Sequence, residues 1–282
     1  MKPDRSRDQV GTRMDDVERA HLVDPADTSF RIGRWTPAPD LSDLIRRFWV
    51  PVWSVPEGAS APQRVLQYPV CLVVVTADYA RFYGVVTGLS ETVLTGRGWA
   101  IGTMFAPAAG SLITGGPVAE WTDRFADIGE VAGDAGADLT TAIRATMATD
   151  PTDETVQRAA TDLVEDWMRH HLPVDDDGLL INAVVDYVET DSTVTQVAQI
   201  CDRFHLTERT LQRLTHRRLG LHPKWLIQRR RLQESAERLR EPDTTLALIA
   251  AELGYADEAH LVRDFRTVTG MTPGQFASRF DG

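Results

Sequence analysis

The sequence has few of the features that would support disulfide bonds or a membrane span. Its 282 residues include two cysteines, Cys71 and Cys201, which both lie in apolar patterns and indicate a reduced protein without disulfides. The longest apolar run, residues 70–77, is far shorter than the about 20 residues that a spanning helix needs. The N-terminus is charged and has no signal-peptide pattern. These absences predict a soluble, cytoplasmic protein.

Catalytic motifs are also missing. The chain contains no G-x-S-x-G, Walker, G-x-G-x-x-G or CxxC pattern. Of its seven histidines, only His21, His170 and His171 precede residue 181, and none lies in the region rich in predicted strands, so a histidine-rich metal site cannot be assembled there. We therefore expect no enzyme activity, no catalytic residues, no metal and no cofactor.

The most informative feature present is an internal repeat, which spans residues 193–223 and 244–273. Four residues of the first copy recur 50 positions later: Leu211, Arg213, Gly220 and Pro223 as Leu261, Arg263, Gly270 and Pro273. Each copy predicts two short helices joined by a tight turn, which is a helix-turn-helix unit.

Capping residues mark where these helices begin. Thr193 with Gln196 predicts a capping box for the first helix, Thr207 predicts the cap of the second helix, and Asp257 is the equivalent residue in the second copy. A third predicted helix, about 223–240, begins with Pro223 and connects the two units.

Three segments of this region carry a family resemblance: LTERTLQRLTHRRLG, HPKWLIQRRRLQESAERL and IAAELGYADEAHLVRDFRTVTGMTPGQF. On these motifs, residues 193–280 resemble the DNA-binding domain of AraC/XylS-type transcription regulators, a bipartite helix-turn-helix domain. The resemblance implies sequence-specific binding to double-stranded DNA, a homodimer, and RNA polymerase as a candidate further partner of a nucleoid-associated protein.

Residue roles follow from this resemblance by position. The second helix of each unit would enter the major groove, with base-reading positions Arg209, Gln212, Arg213, Glu258, His260 and Arg263. The surrounding polar and cationic residues are assigned to phosphates: Thr207, His216, Arg217, Arg218, Lys224, Arg229, Arg230 and Arg266. His205 stands where the family commonly has glycine, so we expect a strained or altered turn there.

The charge distribution agrees with this assignment although the net charge is −11. Residues 203–231 contain nine lysines and arginines against one acidic residue, Glu208, while the excess of acid lies in residues 1–181. The local basic segment is what phosphates would meet, and the net charge of the whole chain does not report on it.

The N-terminal half reads as strands. Six short segments rich in Val, Ile and aromatics are separated by turn residues: FRIGRWT, RRFWVPVW, VCLVVVT, ARFYGVV, ETVLT and WAIGTMFA. They predict a β-barrel or jelly-roll-like domain, and this order also resembles the sensory domain of some of the same regulators. Two helices should follow, at about 138–148 and 153–171, whose wide apolar stripes suit either a dimer seam or packing against the barrel.

The expected organisation is a two-domain α+β protein. It comprises a flexible arm at 1–28, a ligand-sensing and dimerisation domain at 29–172 with strands at about 30–122, a linker at 173–180, and the DNA-binding domain at 181–282 with units at about 193–220 and 244–270.

Aromatic residues suggest a pocket for a small-molecule effector in the N-terminal domain. The candidate lining residues are Trp49, Trp53, Tyr68, Tyr83, Trp99, Phe105 and Trp121. The same residues could simply fill the core. Two alternatives to a ligand-responsive regulator therefore stay open: an N-terminal domain that only dimerises, and an enzyme fused to a DNA-binding module.

Overall fold

The computed structural model describes residues 21–22, 29–241 and 244–278. Most of the predicted arm, 1–28, lies outside the described residues. Of that segment, Leu22 is buried, and the His21 backbone forms an isolated bridge to Val65.

The N-terminal domain is built on strands that form two antiparallel sheets. The strands are β1 (Phe30–Trp35), β2 (Ile45–Ser54), β3 (Ala61–Val65), β4 (Leu72–Thr76), β5 (Ala80–Tyr83), β6 (Ser90–Leu94), β7 (Arg97–Phe105) and β8 (Phe125–Asp127). Six of them form one sheet in the order β1-β2-β7-β4-β5-β8, and β3 pairs with β6. The six strands predicted from the sequence are all present, as β1, β2, β4, β5, β6 and β7. Among the described residues the two edge strands of the larger sheet, β1 and β8, do not pair with each other, so this sheet is open. A jelly-roll-like description fits better than a closed barrel.

Three helices complete this domain: α1 (Ala109–Thr114), α2 (Ile128–Met147) and α3 (Glu154–Arg169). Short 3-10 turns lie at Pro39–Leu41 and Val118–Trp121. Helix α2 is broken at Gly133, whose φ of 62° is outside the helical range. Asp153 caps α3 by accepting a hydrogen bond from the Thr155 backbone N–H at 2.7 Å. The buried stripes of α2 and α3 share one core with the sheet, which includes Ile143 and Val164.

The C-terminal region is helical. Its helices are α4 (Asp176–Thr190), α5 (Val197–Phe204), α6 (Glu208–Leu219), α7 (Pro223–Arg238), α8 (Leu246–Glu252), α9 (Glu258–Thr269) and α10 (Pro273–Ala277). Together with the sheet domain they give the predicted two-domain α+β organisation. No helix in the described part of the chain is both long enough and apolar enough to cross a membrane.

The predicted linker, 173–180, is mostly helix. Helix α4 begins at Asp176, and Asp175 caps it by accepting a hydrogen bond from the Gly178 backbone N–H at 3.0 Å. The acidic run that looked like a solvated linker is a favourable helix start, because carboxylates interact well with the positive end of the helix dipole. The segment that connects α3 to α4 is therefore 170–175.

The two largest buried cores of the described residues divide the molecule differently from its two sequence domains. The first runs without interruption from the sheet through α2, α3 and α4 into the first helix-turn-helix unit, where it includes Ile200 and Leu211. The second unit has its own core around Phe265, which also contains Leu22 and Leu66 from the N-terminal half. Each unit thus packs against residues of the N-terminal half.

Candidate nucleic-acid interface

The first unit consists of α5 and α6 joined by a turn at residues 205–207. His205 ends α5 in the left-handed region, with φ 53° and ψ 40°, as expected for a position where glycine would be unstrained. Thr207 caps α6, since its Oγ1 accepts a hydrogen bond from the Thr210 backbone N–H at 3.2 Å. The predicted capping box of α5 is wrong in register: Gln196 and Gln199 form it.

The start of α6 presents polar side chains to solvent. Leu211 and Leu214 are buried, whereas Arg209, Gln212 and Arg213 are exposed. The Gln212 amide donates to Glu208 Oε1 at 3.2 Å. Within the described residues, neither Arg209 nor Arg213 forms an ion pair, so both guanidinium groups are available to a ligand.

The second unit repeats this geometry. Asp257 caps α9 by accepting a hydrogen bond from the His260 backbone N–H at 2.7 Å. Glu258 and Arg263 are exposed on α9, while Leu261 and Phe265 are buried.

His260 is more constrained than the other proposed base-reading residues. Its ring packs edge-on against Tyr255, with centroids 5.3 Å apart, and its Nε2 lies 3.3 Å from an Asp264 carboxylate oxygen. Its Nδ1 accepts a hydrogen bond from the Ala256 backbone N–H at 3.4 Å. These contacts hold the imidazole against its own unit, so it would have to leave them to meet a base.

Five of the residues assigned to phosphates are exposed: Thr207, His216, Arg217, Lys224 and Arg266. Arg217 forms an ion pair with Asp177 of α4. Because both side chains are about half exposed, this pair is weak and screened by salt, and a phosphate could replace the carboxylate.

The other three residues assigned to phosphates are buried, and this corrects their assignment. Arg218 is 5% exposed and binds Ser111 Oγ at 2.8 Å as well as the Asp175 carboxylate. Burial raises the pKa of Asp175, but its hydrogen bonds with Arg218 and the Gly178 N–H outweigh this and leave the pKa below its usual value. Arg218 therefore connects α6 to α1 and to the cap of α4.

Arg230 stabilises the first unit from within. Its guanidinium donates to the carbonyl oxygens of Asp191 and Val194, the latter at 2.9 Å, and it is 2% exposed. Both carbonyls lie in the segment between α4 and α5. Arg230 thus fixes the connecting helix α7 to the entry of the first unit.

Arg229 is the third buried arginine, and it contacts the N-terminal domain. Its Nη2 donates to the carbonyl oxygens of Thr87 and Gly88, the latter at 3.2 Å, and its guanidinium lies 4.6 Å from the Trp225 ring centroid. Burial lowers the pKa of Arg229 to about 10, against the opposing effect of the Asp123 carboxylate.

Asp123 holds the loop that receives Arg229. Its two carboxylate oxygens accept hydrogen bonds from the Thr87 backbone N–H at 2.7 Å and from the Thr87 hydroxyl at 2.6 Å. Asp123 itself has a positive φ of 58°, a conformation that is uncommon outside glycine but that aspartate tolerates better than most residues. The neighbouring Thr122 donates its hydroxyl hydrogen to the Gly220 carbonyl at the end of α6, at 3.3 Å. Residues 87–88 and 122–123 thus form one docking site for α7 and the end of the first unit, which we call the docking loops.

The aromatic residues predicted to line an effector pocket are not brought together. Trp53 and Trp99 line one groove, and Tyr68 lines another of about 450 Å³ between the N-terminal domain and α4. The remaining four take part in packing: Trp49 against Gly102, Tyr83 against Phe125, Phe105 against Trp167 and Trp121 against Phe82. Among the described residues these seven rings therefore do not line one shared groove, and most of them fill space in the core.

Comparison with known proteins locates two matching regions. Residues 200–279 match a model described as "Helix-turn-helix domain", and residues 33–127 match a "Domain of unknown function (DUF6597)". Each model covers about a third of the chain or less, and the first spans both units except for the beginning of α5.

Curated relatives match over the same helical region. The transcriptional activator RhaS of Pectobacterium carotovorum is 34% identical over 74 residues, which is 26% of this chain and 26% of the relative. A putative AraC-like transcription regulator of Streptomyces lividans is 35% identical over 80 residues, 28% of this chain and 26% of the relative. The regulator VirS of Mycobacterium tuberculosis is 39% identical over 77 residues, 27% and 22% respectively. The chain thus matches about a quarter of each relative's length.

Among solved structures, the crystal structure of ToxT from Vibrio cholerae O395 aligns with 91% of this chain and all of its own. The identity is 12% and the TM-score is 0.40, so this similarity does not transfer function or binding.

Proposed function

We propose that this protein is a sequence-specific DNA-binding regulator of transcription of the AraC type, which binds DNA through its C-terminal helix-turn-helix units. The observation that carries the proposal is the pair of capped second helices, α6 and α9. Each begins at an aspartate or threonine cap, buries one apolar side and exposes arginine on the other, with Arg213 and Arg263 at equivalent positions.

Base readout would come from the outward side chains near the start of each second helix. Arg209 and Arg213 could each bind guanine O6 and N7 through two parallel hydrogen bonds, and Gln212 could bind adenine N6 and N7 in the same way. Each such pair contributes about 1–3 kcal/mol of discrimination. In α9, Arg263 would supply the equivalent contact, while Glu258 could accept from cytosine N4.

Phosphate contact is assigned to a smaller set than the sequence suggested. The exposed members are Thr207, His216, Arg217, Lys224 and Arg266. Burial removes Arg218, Arg229 and Arg230 from the surface, so the basic face is less cationic than a count of residues 203–231 implies. We expect fewer released counterions, and hence a shallower salt dependence, than that count would give.

We expect the two units to contact successive major grooves, and the connecting helix α7 gives the scale of their separation. Helix α7 has 16 residues and spans about 24 Å at 1.5 Å per residue. Contact with successive major grooves on one DNA face would require the two second helices to lie about 34 Å apart.

The test uses genomic fragments selected by the purified full-length protein, followed by fluorescence anisotropy on the best fragment. Arg213→Ala and Arg263→Ala should each weaken specific binding by about tenfold to a hundredfold and relax preference at one base position. Arg64→Ala, which removes the same charge from strand β3, is the matched control and should leave affinity unchanged. Equal affinity and equal preference in all three variants would exclude Arg213 and Arg263 from base readout, and failure to select any preferred fragment would refute the proposed function.

The N-terminal domain would regulate this binding through its contacts with α7 and the end of the first unit. In support, the docking loops accept hydrogen bonds from Arg229 and donate one to Gly220, and the Gln233 amide donates to the Leu66 carbonyl at 2.8 Å. A small-molecule effector that shifts these loops would change how the units are presented. The alternative is a domain that only dimerises; absence of binding by metabolites in a thermal-shift screen would favour it.

Homodimerisation and contact with RNA polymerase are further proposals, as are a cytoplasmic location and association with the nucleoid. The relatives are described as transcription regulators, which favours a non-catalytic N-terminal domain over a fused enzyme. The apolar stripes of α2 and α3 pack on the sheet, and the strongly exposed large apolar side chains of the described residues lie elsewhere. Dimerisation must therefore be tested directly, by sedimentation of the full-length protein.

A further inference from the structure

The connecting helix α7 contributes to both of the large buried cores, but at different positions along its length. Leu226 and Ile227 belong to the core that contains the first unit, whereas Leu232 and Ala236 belong to the core of the second unit. Between these two groups lie three consecutive buried arginines, residues 229–231. In the described part of the chain, the two units are therefore joined at a charged layer of α7 that separates their buried cores.

Two arginines of this layer contact different units from neighbouring positions. Arg230 donates to the carbonyl oxygens of Asp191 and Val194, in the segment that leads into the first unit. The guanidinium of Arg231 lies 3.8 Å from the ring centroid of Tyr255, in the turn between α8 and α9. Successive side chains of an α-helix point about 100° apart around its axis, so the two arginines reach different sides of α7. Each unit is thus fixed to its own arginine.

The turn that contains Tyr255 also approaches the first unit directly. A Cβ placed on Gly254 would lie 3.1 Å from Thr195 Cγ2, so this turn passes close to the segment that leads into α5. Thr195 is itself tied to α5, because its backbone N–H donates to Gln199 Oε1 at 2.9 Å. The stacking of Arg231 on Tyr255 therefore acts on the turn where the two units meet.

Arg231 carries a charge in a place where an apolar side chain would pack without penalty. It is 9% exposed, and among the described residues its Nε and Nη2 are buried without a hydrogen-bond partner. Burying a cation in this way is unfavourable, and its attraction to the face of the Tyr255 ring opposes that cost. Apolar contacts are not directional, whereas a planar guanidinium stacked on a ring has a defined geometry. The charge therefore contributes orientation rather than stability.

We propose that Arg231 and Tyr255 are positioning residues that set the angle between α6 and α9, and thereby the number of base pairs between the two blocks of sequence that the protein recognises. They would act through the outward arginines of those helices, Arg213 and Arg263, without touching DNA themselves. The consequence at DNA rests on the proposed function, whereas the fixed angle is a property of the free protein.

The first experiment measures the spacing preference of the full-length protein by fluorescence anisotropy. The fragment that binds best is compared with versions that have one base pair inserted or deleted between the block that depends on Arg213 and the block that depends on Arg263. One base pair shifts the second block by about 3.4 Å and turns it by about 35°. Wild-type binding should weaken by about fivefold to a hundredfold, the effect of losing one bidentate base contact.

Variants connect the spacing preference to the two residues. Arg231→Met keeps a long side chain without the stacked cation, and Tyr255→Leu removes the ring, so both should nearly abolish the difference between spacings. Tyr255→Phe keeps the ring and should retain the wild-type preference. Gln228→Ala, at an exposed position of α7, is the matched control and should retain it too.

The ratio between spacings separates positioning from folding. A loss of stability alone would weaken binding to every spacing by the same factor and leave that ratio unchanged. Wild-type ratios in both Arg231→Met and Tyr255→Leu, or equal binding of the wild-type protein to all spacings, would overturn the proposal.

A measurement on the free protein distinguishes this proposal from the proposed function. His216→Cys and Thr267→Cys place spin labels on exposed positions of α6 and α9 in a Cys201→Ser background, and Cys71 is buried. Pulsed electron paramagnetic resonance then reports the distance between the two helices.

The wild-type protein and Tyr255→Phe should give the same narrow distance distribution, whereas Arg231→Met and Tyr255→Leu should broaden or shift it. If this pattern is found and no DNA sequence is preferred, the proposed function fails while the positioning role of Arg231 and Tyr255 is supported. An unchanged distribution in both of the disruptive variants would overturn that role, whatever the result with DNA.

Discussion

Arg229 offers the sharpest test, because the sequence and the structure assign it different partners. By position in the repeat region it belongs with the phosphate contacts, whereas the structure buries it against Thr87 and Gly88 of the N-terminal domain. We predict that Arg229→Ala lowers the stability of the full-length protein and loosens the contact between its two halves.

The magnitude follows from three contacts. Removing the guanidinium leaves two carbonyl oxygens with a lost donor, at about 1–3 kcal/mol for each buried group that stays unsatisfied. Stacking on Trp225, with the guanidinium 4.6 Å from the ring centroid, adds about 0.5–2 kcal/mol. An opposing contribution comes from the charge itself: burial of the Arg229 guanidinium is unfavourable, as its lowered pKa indicates, and the alanine variant avoids that penalty. We therefore expect a net loss of about 2–4 kcal/mol.

The assay is urea unfolding followed by tryptophan fluorescence and far-ultraviolet circular dichroism. Arg266→Ala is the matched control: it is an exposed arginine on α9, and its loss should change the free energy of unfolding by less than about 0.5 kcal/mol. Arg229→Lys should lie between the two, because lysine keeps the charge but not the planar fork.

The opposite outcome is equally clear. If Arg229 contacted phosphate, Arg229→Ala would leave the unfolding midpoint unchanged and reduce the salt slope of DNA binding by about one contact. That pair of results would refute the docking of α7 on the N-terminal domain.

Three further predictions concern stability. In the folded protein, burial and the preceding histidine lower the pKa of His171 below the reference value of 6.5. The unfolded state therefore binds more protons than the folded state just below pH 6.5. Stability should therefore fall as pH is lowered from 7 through 6.5 and level off below the folded pKa, and His171→Asn should remove that slope in urea unfolding. His205→Gly should raise the free energy of unfolding by about 0.5–1 kcal/mol in thermal melts, because glycine adopts the left-handed conformation without strain. Gly102→Ala should cost about 1–3 kcal/mol or more, since its Cβ would lie 2.1 Å from the Trp49 ring, whereas Gly116→Ala meets open space and should be near neutral.

The internal repeat and the capping residues allowed the helices of the C-terminal half to be predicted from the sequence. Thr207 and Asp257 cap α6 and α9 as predicted, because a side-chain oxygen just before an apolar periodic run has few other uses. The capping box predicted for α5, Thr193 with Gln196, lies three residues before the observed one, Gln196 with Gln199. The Asp191 carboxylate accepts hydrogen bonds from the backbone N–H and the hydroxyl of Thr193 and so holds Thr193 outside the helix. Helix α5 therefore starts only at Val197.

The missed strands were short and weakly patterned. Strand β3 contains proline, and β8 has only three residues with Phe125 exposed, so neither shows alternation of apolar and polar residues. These segments are strands because β3 pairs with β6 and β8 pairs with β5, and both partners are distant in sequence. The open sheet could not be inferred either, because strand content alone does not determine closure.

The candidate site was predicted where it depends on local helix geometry and missed where it depends on tertiary contact. Exposure of Arg209 and Arg213 follows from their spacing relative to Leu211 and Leu214. Burial of Arg229 and Arg230 does not, because a basic run shows which face of a helix is charged but not what covers that face. The distant carbonyls of Thr87 and Gly88 were the missing information.

The buried arginines have a consequence for exchange of this helical domain between proteins. Arg218 and Arg229 use Ser111, Thr87 and Gly88 as partners, all of them in the N-terminal half. Grafted onto an unrelated regulator, the first unit together with α7 would carry two guanidinium groups whose partners are missing, and the apolar core that the first unit shares with α4 would be exposed. The second unit has its own core, which would lose only Leu22, Leu66 and the partly buried Leu89 on transfer. Successful chimaeras should therefore bring the docking loops along with the DNA-binding helices.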